Sequence, residues 1–177
     1  MTVHKNLKGF TLIELLIVMA ILGVLAVVVL VAINPVQQLA RTRDSGRKST
    51  ITQLGHAMEA YYTSHGGAYV AEGATWIDTL ATAGEMASAP SAIAYTVTGT
   101  AECALAASRQ NGYCYDATDA AGAEPVLIYA TMESDSEISK CAAGDPYFVW
   151  STEDGRGGLV CGVAAPTPGT QTWNPVQ

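Results

Sequence analysis

The sequence predicts an α+β protein. A long N-terminal hydrophobic helix, transmembrane in its first half and amphipathic in its second, packs on a small antiparallel β-sheet domain. Three observations predict this. Residues 10–33 form an apolar run, FTLIELLIVMAILGVLAVVVLVAI, interrupted by one charge, Glu14. Further on, Ile51, Leu54, Met58, Tyr61 and Tyr62 recur at helical spacing. Past a Ser64-His65-Gly66-Gly67 break, short β-branched and aromatic runs alternate with Gly, Asp and Ser clusters.

The run 10–33 is 24 residues long. As a helix it measures about 36 Å, enough to cross a hydrocarbon layer of about 30 Å. The segment before it, MTVHKNLKG, is short and polar, carries Lys5 and Lys8, and ends in Gly9. A secretory signal places its small cleavage residues after the apolar stretch. Here the small residue stands before it. A cut between Gly9 and Phe10 discards a basic leader, residues 1–9, and keeps the apolar helix. Phe10 becomes the first residue and Glu14 the fifth. A carboxylate inside such a span costs at least about 2.5 kcal/mol unless it is neutralised or paired. Glu14 near the segment's start can simply reach the headgroups; a positive partner at the same depth would give it a function instead.

With Lys8-Gly9 followed by Phe10-Thr11-Leu12-Ile13-Glu14-Leu15-Leu16-Ile17-Val18, the chain resembles the type IV pilin family. The resemblance covers about residues 5–35. It implies cleavage after Gly9 by a membrane aspartyl prepilin peptidase and methylation of the new Phe10 amine. It implies that Glu14 pairs with the Phe10 amine of a neighbouring subunit during assembly. A buried carboxylate and a buried ammonium each carry a heavy desolvation cost alone and a smaller one together. The resemblance further implies a precursor held in the lipid of the inner membrane, leader and peptidase on the cytoplasmic side. Inner-membrane assembly machinery then passes identical or related pilin subunits into a helical homopolymer on the cell surface. In that family the stretch between a span glycine and proline can lose helicity in the filament; here it runs from Gly23 to Pro35.

Residues 34–64 continue the helix. Proline removes a backbone hydrogen bond and clashes with the preceding turn, so Asn34-Pro35 is expected to kink it. The face opposite the apolar stripe holds Thr52, Gln53, His56 and Glu59, and His56 reads as a solvated position. Asp44 and Lys48 stand four apart and are expected to pair at the surface, worth a few tenths of a kcal/mol.

Residues 65–165 are expected to form a disulfide-containing α+β head, with a short helix over 76–83. Strands are expected at 93–98, 113–116, 126–132, 147–151 and 159–163, with residues 153–158 as the turn before the last. The tail 166–177, with three prolines and a glycine, reads as loosely ordered.

All four cysteines, Cys103, Cys114, Cys141 and Cys161, lie in the head. An even count in a translocated domain predicts two disulfides, with three possible connectivities. The sequentially local pairs, Cys103–Cys114 and Cys141–Cys161, are favoured: one spans a turn at Gln110-Asn111-Gly112, the other encloses a hairpin. Zinc prefers closely spaced pairs such as C-x-x-C, and none occurs. Lys5 and Lys8 support a cytoplasmic N-terminus, while Arg41, Arg43, Arg47 and Lys48 argue the other way. The cysteines need an oxidising side, which favours the head outside.

The net charge is −7, but it is uneven. Residues 1–62 carry six basic and three acidic side chains; residues 63–177 carry three and thirteen. An acidic head argues against a general or sequence-specific grip on nucleic acid. No phosphate loop, HExxH, GxSxG or dinucleotide fingerprint appears, so no catalytic residue, cofactor or metal is assigned. DATDAAGAE (Asp116, Asp119, Glu124), ESDSE (Glu133, Asp135, Glu137) and Glu153-Asp154 lack EF-hand spacing and read as solvated loops. Three functions follow from this reading. The first is a structural subunit of a surface filament. The second is a pseudopilin building a short periplasmic piston for type II secretion. The third is a monomeric single-pass binding protein. The third needs no buried carboxylate, so Glu14 argues against it. Two disulfides suit a fibre exposed to the environment, and the filament subunit is favoured.

Overall fold

The computed structural model describes residues 9–93, 103, 106–118 and 125–174. It divides into two compact units, Met1–Gln38 and Leu39–Gln177.

The first unit is built on α1, Leu12–Ile33, none of whose residues is buried. The helix opens at Thr11, whose extended backbone and side-chain oxygen cap the first turn. It closes at Asn34, which sits at φ 45° and ψ 76°. Asparagine tolerates this left-handed region better than most residues, and the residue before a proline is pushed out of the α region. Helix α2, Pro35–Ser64, starts immediately. Proline suits a first helical position, where an N–H would have no acceptor. The expected kink is therefore a one-residue break: a cap and a restart. Gly23 lies inside α1 and is helical.

In the second unit α2 turns Ala40, Asp44, Arg47, Ile51, Leu54 and Met58 inward, in steps of three and four. Ile51, Leu54 and Met58 are fully buried, each worth about 1.5–3 kcal/mol. Tyr61 is half-buried, whereas Tyr62 and His56 are exposed. A Cβ at Gly55 would lie 2.3 Å from the Trp150 indole, so a glycine is what lets that ring lie flat on the helix. Helix α3, Trp76–Thr82, adds Trp76, Ile77 and Leu80 to the same core.

The sheet is an antiparallel meander in the order β1-β2-β3-β4-β5. Its strands are β1 (Arg109–Gln110), β2 (Tyr113–Ala117), β3 (Val126–Thr131), β4 (Asp145–Ser151) and β5 (Arg156–Gly162). The β1–β2 hairpin turns at Asn111-Gly112, both at positive φ (53° and 84°), as a two-residue hairpin loop demands. Strand β1 and a one-turn helix α4, Asp135–Ile138, are elements the sequence reading did not include. The strand expected at 93–98 lies, beyond Ile93, outside the described residues. Strand β5 begins at Arg156, inside the expected turn, because Arg156, Gly157 and Gly158 pair with Ser151, Trp150 and Val149.

Both faces of the sheet are covered. Val126, Ile128 and Ala130 share one core with α2 and α3. Leu127 and Tyr129, on the other face, cluster with Cys114, Tyr147, Val149 and Val160, and with the partly buried Cys103, Ala165 and Trp173. The proline-rich stretch read as a loose tail thus returns to the sheet and pairs along the edge of β5. Trp173 bridges to Val160, the Asn174 amide donates to the Leu159 carbonyl at 2.8 Å, and the Arg156 guanidinium lies 4.4 Å from the Trp173 ring centre.

Candidate assembly and processing site

Gly9 and Phe10 stand exposed just ahead of the Thr11 cap, and Phe10 is 86% exposed. Glu14 occupies the first turn of α1. Its Oε2 accepts from the Thr11 amide at 2.8 Å and from the Thr11 hydroxyl at 2.7 Å. The Glu14 amide donates back to the Thr11 hydroxyl at 3.3 Å. This reciprocal capping box satisfies two orphan donors of the helix start. Within one uncleaved chain Glu14 is therefore held by Thr11. In that chain the Phe10 nitrogen is a peptide amide and carries no charge for Glu14 to meet.

The rest of α1 exposes Leu, Ile, Val and Met side chains at 46–88%. One 18-residue window within Leu12–Ser64 has a mean hydropathy of 3.4, enough in length and composition to cross a membrane. A stripe of apolar surface this long is stable only against lipid or other apolar helices.

The second unit holds a charged lattice that sequence reasoning missed. Asp44 does not pair with Lys48. Its carboxylate accepts from the backbone amides of Glu133 (3.0 Å) and Ser134 (2.8 Å) and from Arg47 at 2.9 Å. Arg47 also bonds the Thr131 carbonyl and the Glu133 carboxylate, both at 3.2 Å. Arg43 joins Glu133 as well. Lys48 reaches Glu137 at 2.8 Å, which Lys140 bonds at 3.1 Å. Asp44, Arg47, Glu133 and Glu137 are all buried, so ESDSE is not a solvated loop. Burial pushes the Glu137 carboxyl up, but its bonds to Lys48 and Lys140 outweigh that and hold it below the usual range. A signal for the lattice was present. Asp44 and Arg47 lie on the same three-four stripe as Ile51, Leu54 and Met58.

Asp116 differs from the other acids. It is buried on β2, and desolvation, with the Glu72 carboxylate beside it, raises its pKa to about 6. Asp119 and Glu124 of the same motif lie outside the described residues.

The structure brings the cysteines together in two pairs. Cys103 bonds Cys114 and Cys141 bonds Cys161, with Cα atoms 5.3 and 5.5 Å apart.

Comparison with curated proteins returns no match, and neither does comparison with solved structures. Residues 4–30 match the family model described as the prokaryotic N-terminal methylation motif, which contains Gly9, Phe10 and Glu14. That motif points to a structural, pilin-like or pseudopilin protein and fits a membrane-anchored precursor. The chain thus carries the prepilin-type N-terminal signature on a pilin-like α+β fold, a long apolar helix leading into a five-stranded antiparallel sheet.

Proposed function

We propose that this chain is the structural subunit of a type IV pilus. It is cleaved after Gly9 by a prepilin peptidase, methylated at the Phe10 amine, and assembled through α1 into a surface filament. The observation that carries this reading is Glu14: a single carboxylate, fifth after the proposed cut, in a helix of exposed apolar side chains. Cleavage turns the Phe10 amide into an ammonium. A neighbouring subunit's Phe10 then offers Glu14 a charged partner stronger than Thr11, and packing of α1 against α1 covers the apolar surface in place of lipid. The lattice and the two disulfides stiffen the head that this spine would carry outward.

Electron microscopy of shed filaments, with intact-mass analysis of their subunit, tests the reading. The subunit should begin at Phe10 and carry one added methyl, residues 1–9 having gone with the leader. Gly9→Leu should block this maturation. Filaments whose subunit retains Met1 would overturn it. A subunit found only in the cell envelope, with secretion lost on its deletion, would assign it to a secretion pseudopilus instead.

A further inference from the structure

The C-terminal turn of α2 and the length of α3 border an open cleft of about 400 Å³. Part of its lining is aromatic. Tyr61 and His65 stack with ring centres 3.8 Å apart and planes 5° from parallel. The His65 ring is fixed in place, its Nδ1 lying 2.9 Å from the Ser64 hydroxyl and 3.2 Å from the Tyr61 carbonyl oxygen. The rest of the lining is one face of α3 and its caps: Thr75, Asp78, Thr79 and Thr82, at helical spacing, and Ala83. The Thr79 and Thr82 hydroxyls donate to the Thr75 and Asp78 carbonyls, which leaves their oxygens as acceptors. The cleft therefore offers a flat aromatic stack and a row of acceptors with one carboxylate among them. A ligand that suits it has a rigid C–H face and several hydroxyl donors. The volume admits one ring of that kind.

We propose that this cleft binds a single pyranose sugar, its C–H face against the Tyr61–His65 stack and two adjacent hydroxyls donating to Asp78. A quaternary ammonium would want aromatic faces on several sides, and the cleft has one stack. A ligand of about 12 heavy atoms in an open, polar site binds with a Kd of order 1 mM.

The test uses the full-length protein in lauryldimethylamine oxide micelles, titrated with glucose, galactose, mannose or N-acetylglucosamine and followed by saturation-transfer NMR. Tetramethylammonium serves as the cationic probe. At least one sugar should bind saturably. Asp78→Asn should weaken it about tenfold or more, the loss of a charge-assisted hydrogen bond, and His65→Ala should weaken it as well. Both side chains are exposed, so both variants should stay folded, with unfolding temperatures close to the wild type's. Three results would each overturn the proposal: no sugar saturates, a sugar binds wild type and both variants alike, or tetramethylammonium binds at Asp78 and His65 while the sugars do not.

Discussion

Glu14 is satisfied by Thr11 before it meets any neighbour, so its carboxylate enters the apolar phase with hydrogen bonds already made. Replacing it with alanine removes a charge and leaves the span more apolar. Glu14→Ala should therefore insert normally, yet give little or no filament when it is the sole subunit, because the Phe10 ammonium of a neighbour loses its counter-charge. Membrane fractionation and filament yield from the same cells check both halves. Asp116 makes a different case. Its pKa is about 6 against an ordinary 3.8, so folding favours the protonated acid. That contribution is complete below pH 4 and is lost as the pH climbs through 6. Asp116→Asn should raise the unfolding free energy at pH 7.5 by up to roughly 2 kcal/mol and change little at pH 3.5. Urea unfolding at the two pH values decides it, and equal shifts at both would refute it. The sequence displayed Glu14 plainly, since everything that gives it meaning lies within a few residues. Asp44 was opaque because the amide it caps is 89 positions away.

At the scale of elements, α2 depends on more than its apolar stripe. Arg47 ties the helix to the segment after β3, and removing it takes the buried cation from Asp44, which keeps its backbone donors, and from Glu133, which keeps Arg43. Arg47→Ala should cost about 3–5 kcal/mol. Lys48→Ala removes a partly exposed charge and should cost under about 1 kcal/mol. Thermal unfolding of the two variants side by side measures the contrast. The helical break was legible as a weak point, although left-handed Asn34 made it a clean cap and restart. Four strands and α3 were legible from composition and spacing. Strand β1 is two residues long and leaves no pattern to read. Nor does composition reveal that Trp173 bridges to β5: prolines exclude helix and central strand, but they do not stop a segment from pairing along a sheet edge.

On the scale of the whole molecule, the head is a meander in which each strand pairs with the next in sequence. Such local topology favours quick closure, since no long loop must be ordered before the first contacts reward it. The sequence supported this outline because hairpin signals are short-range. It did not show that both faces of the sheet would be buried, which rests on residues far from the strands they cover. The acidic surplus of the head favours its solvation, while the apolar surface of α1 favours lipid or another apolar helix.

The cysteine pairing carries a consequence for biogenesis. The bonded pairs are first with second and third with fourth. If the head is exported N-terminal side first, an oxidant working on the emerging chain meets Cys103 and Cys114 before Cys141 has appeared. Joining whichever thiols arrive together yields the native bonds, and no shuffling is required afterwards. Cells lacking their disulfide isomerase should thus make as much correctly bonded protein as the parent strain. Cells lacking the primary thiol oxidase should accumulate the reduced form. Non-reducing peptide mapping from the two strains distinguishes these outcomes, and isomerase-dependent yield would show that the bonds form only after the chain has been released.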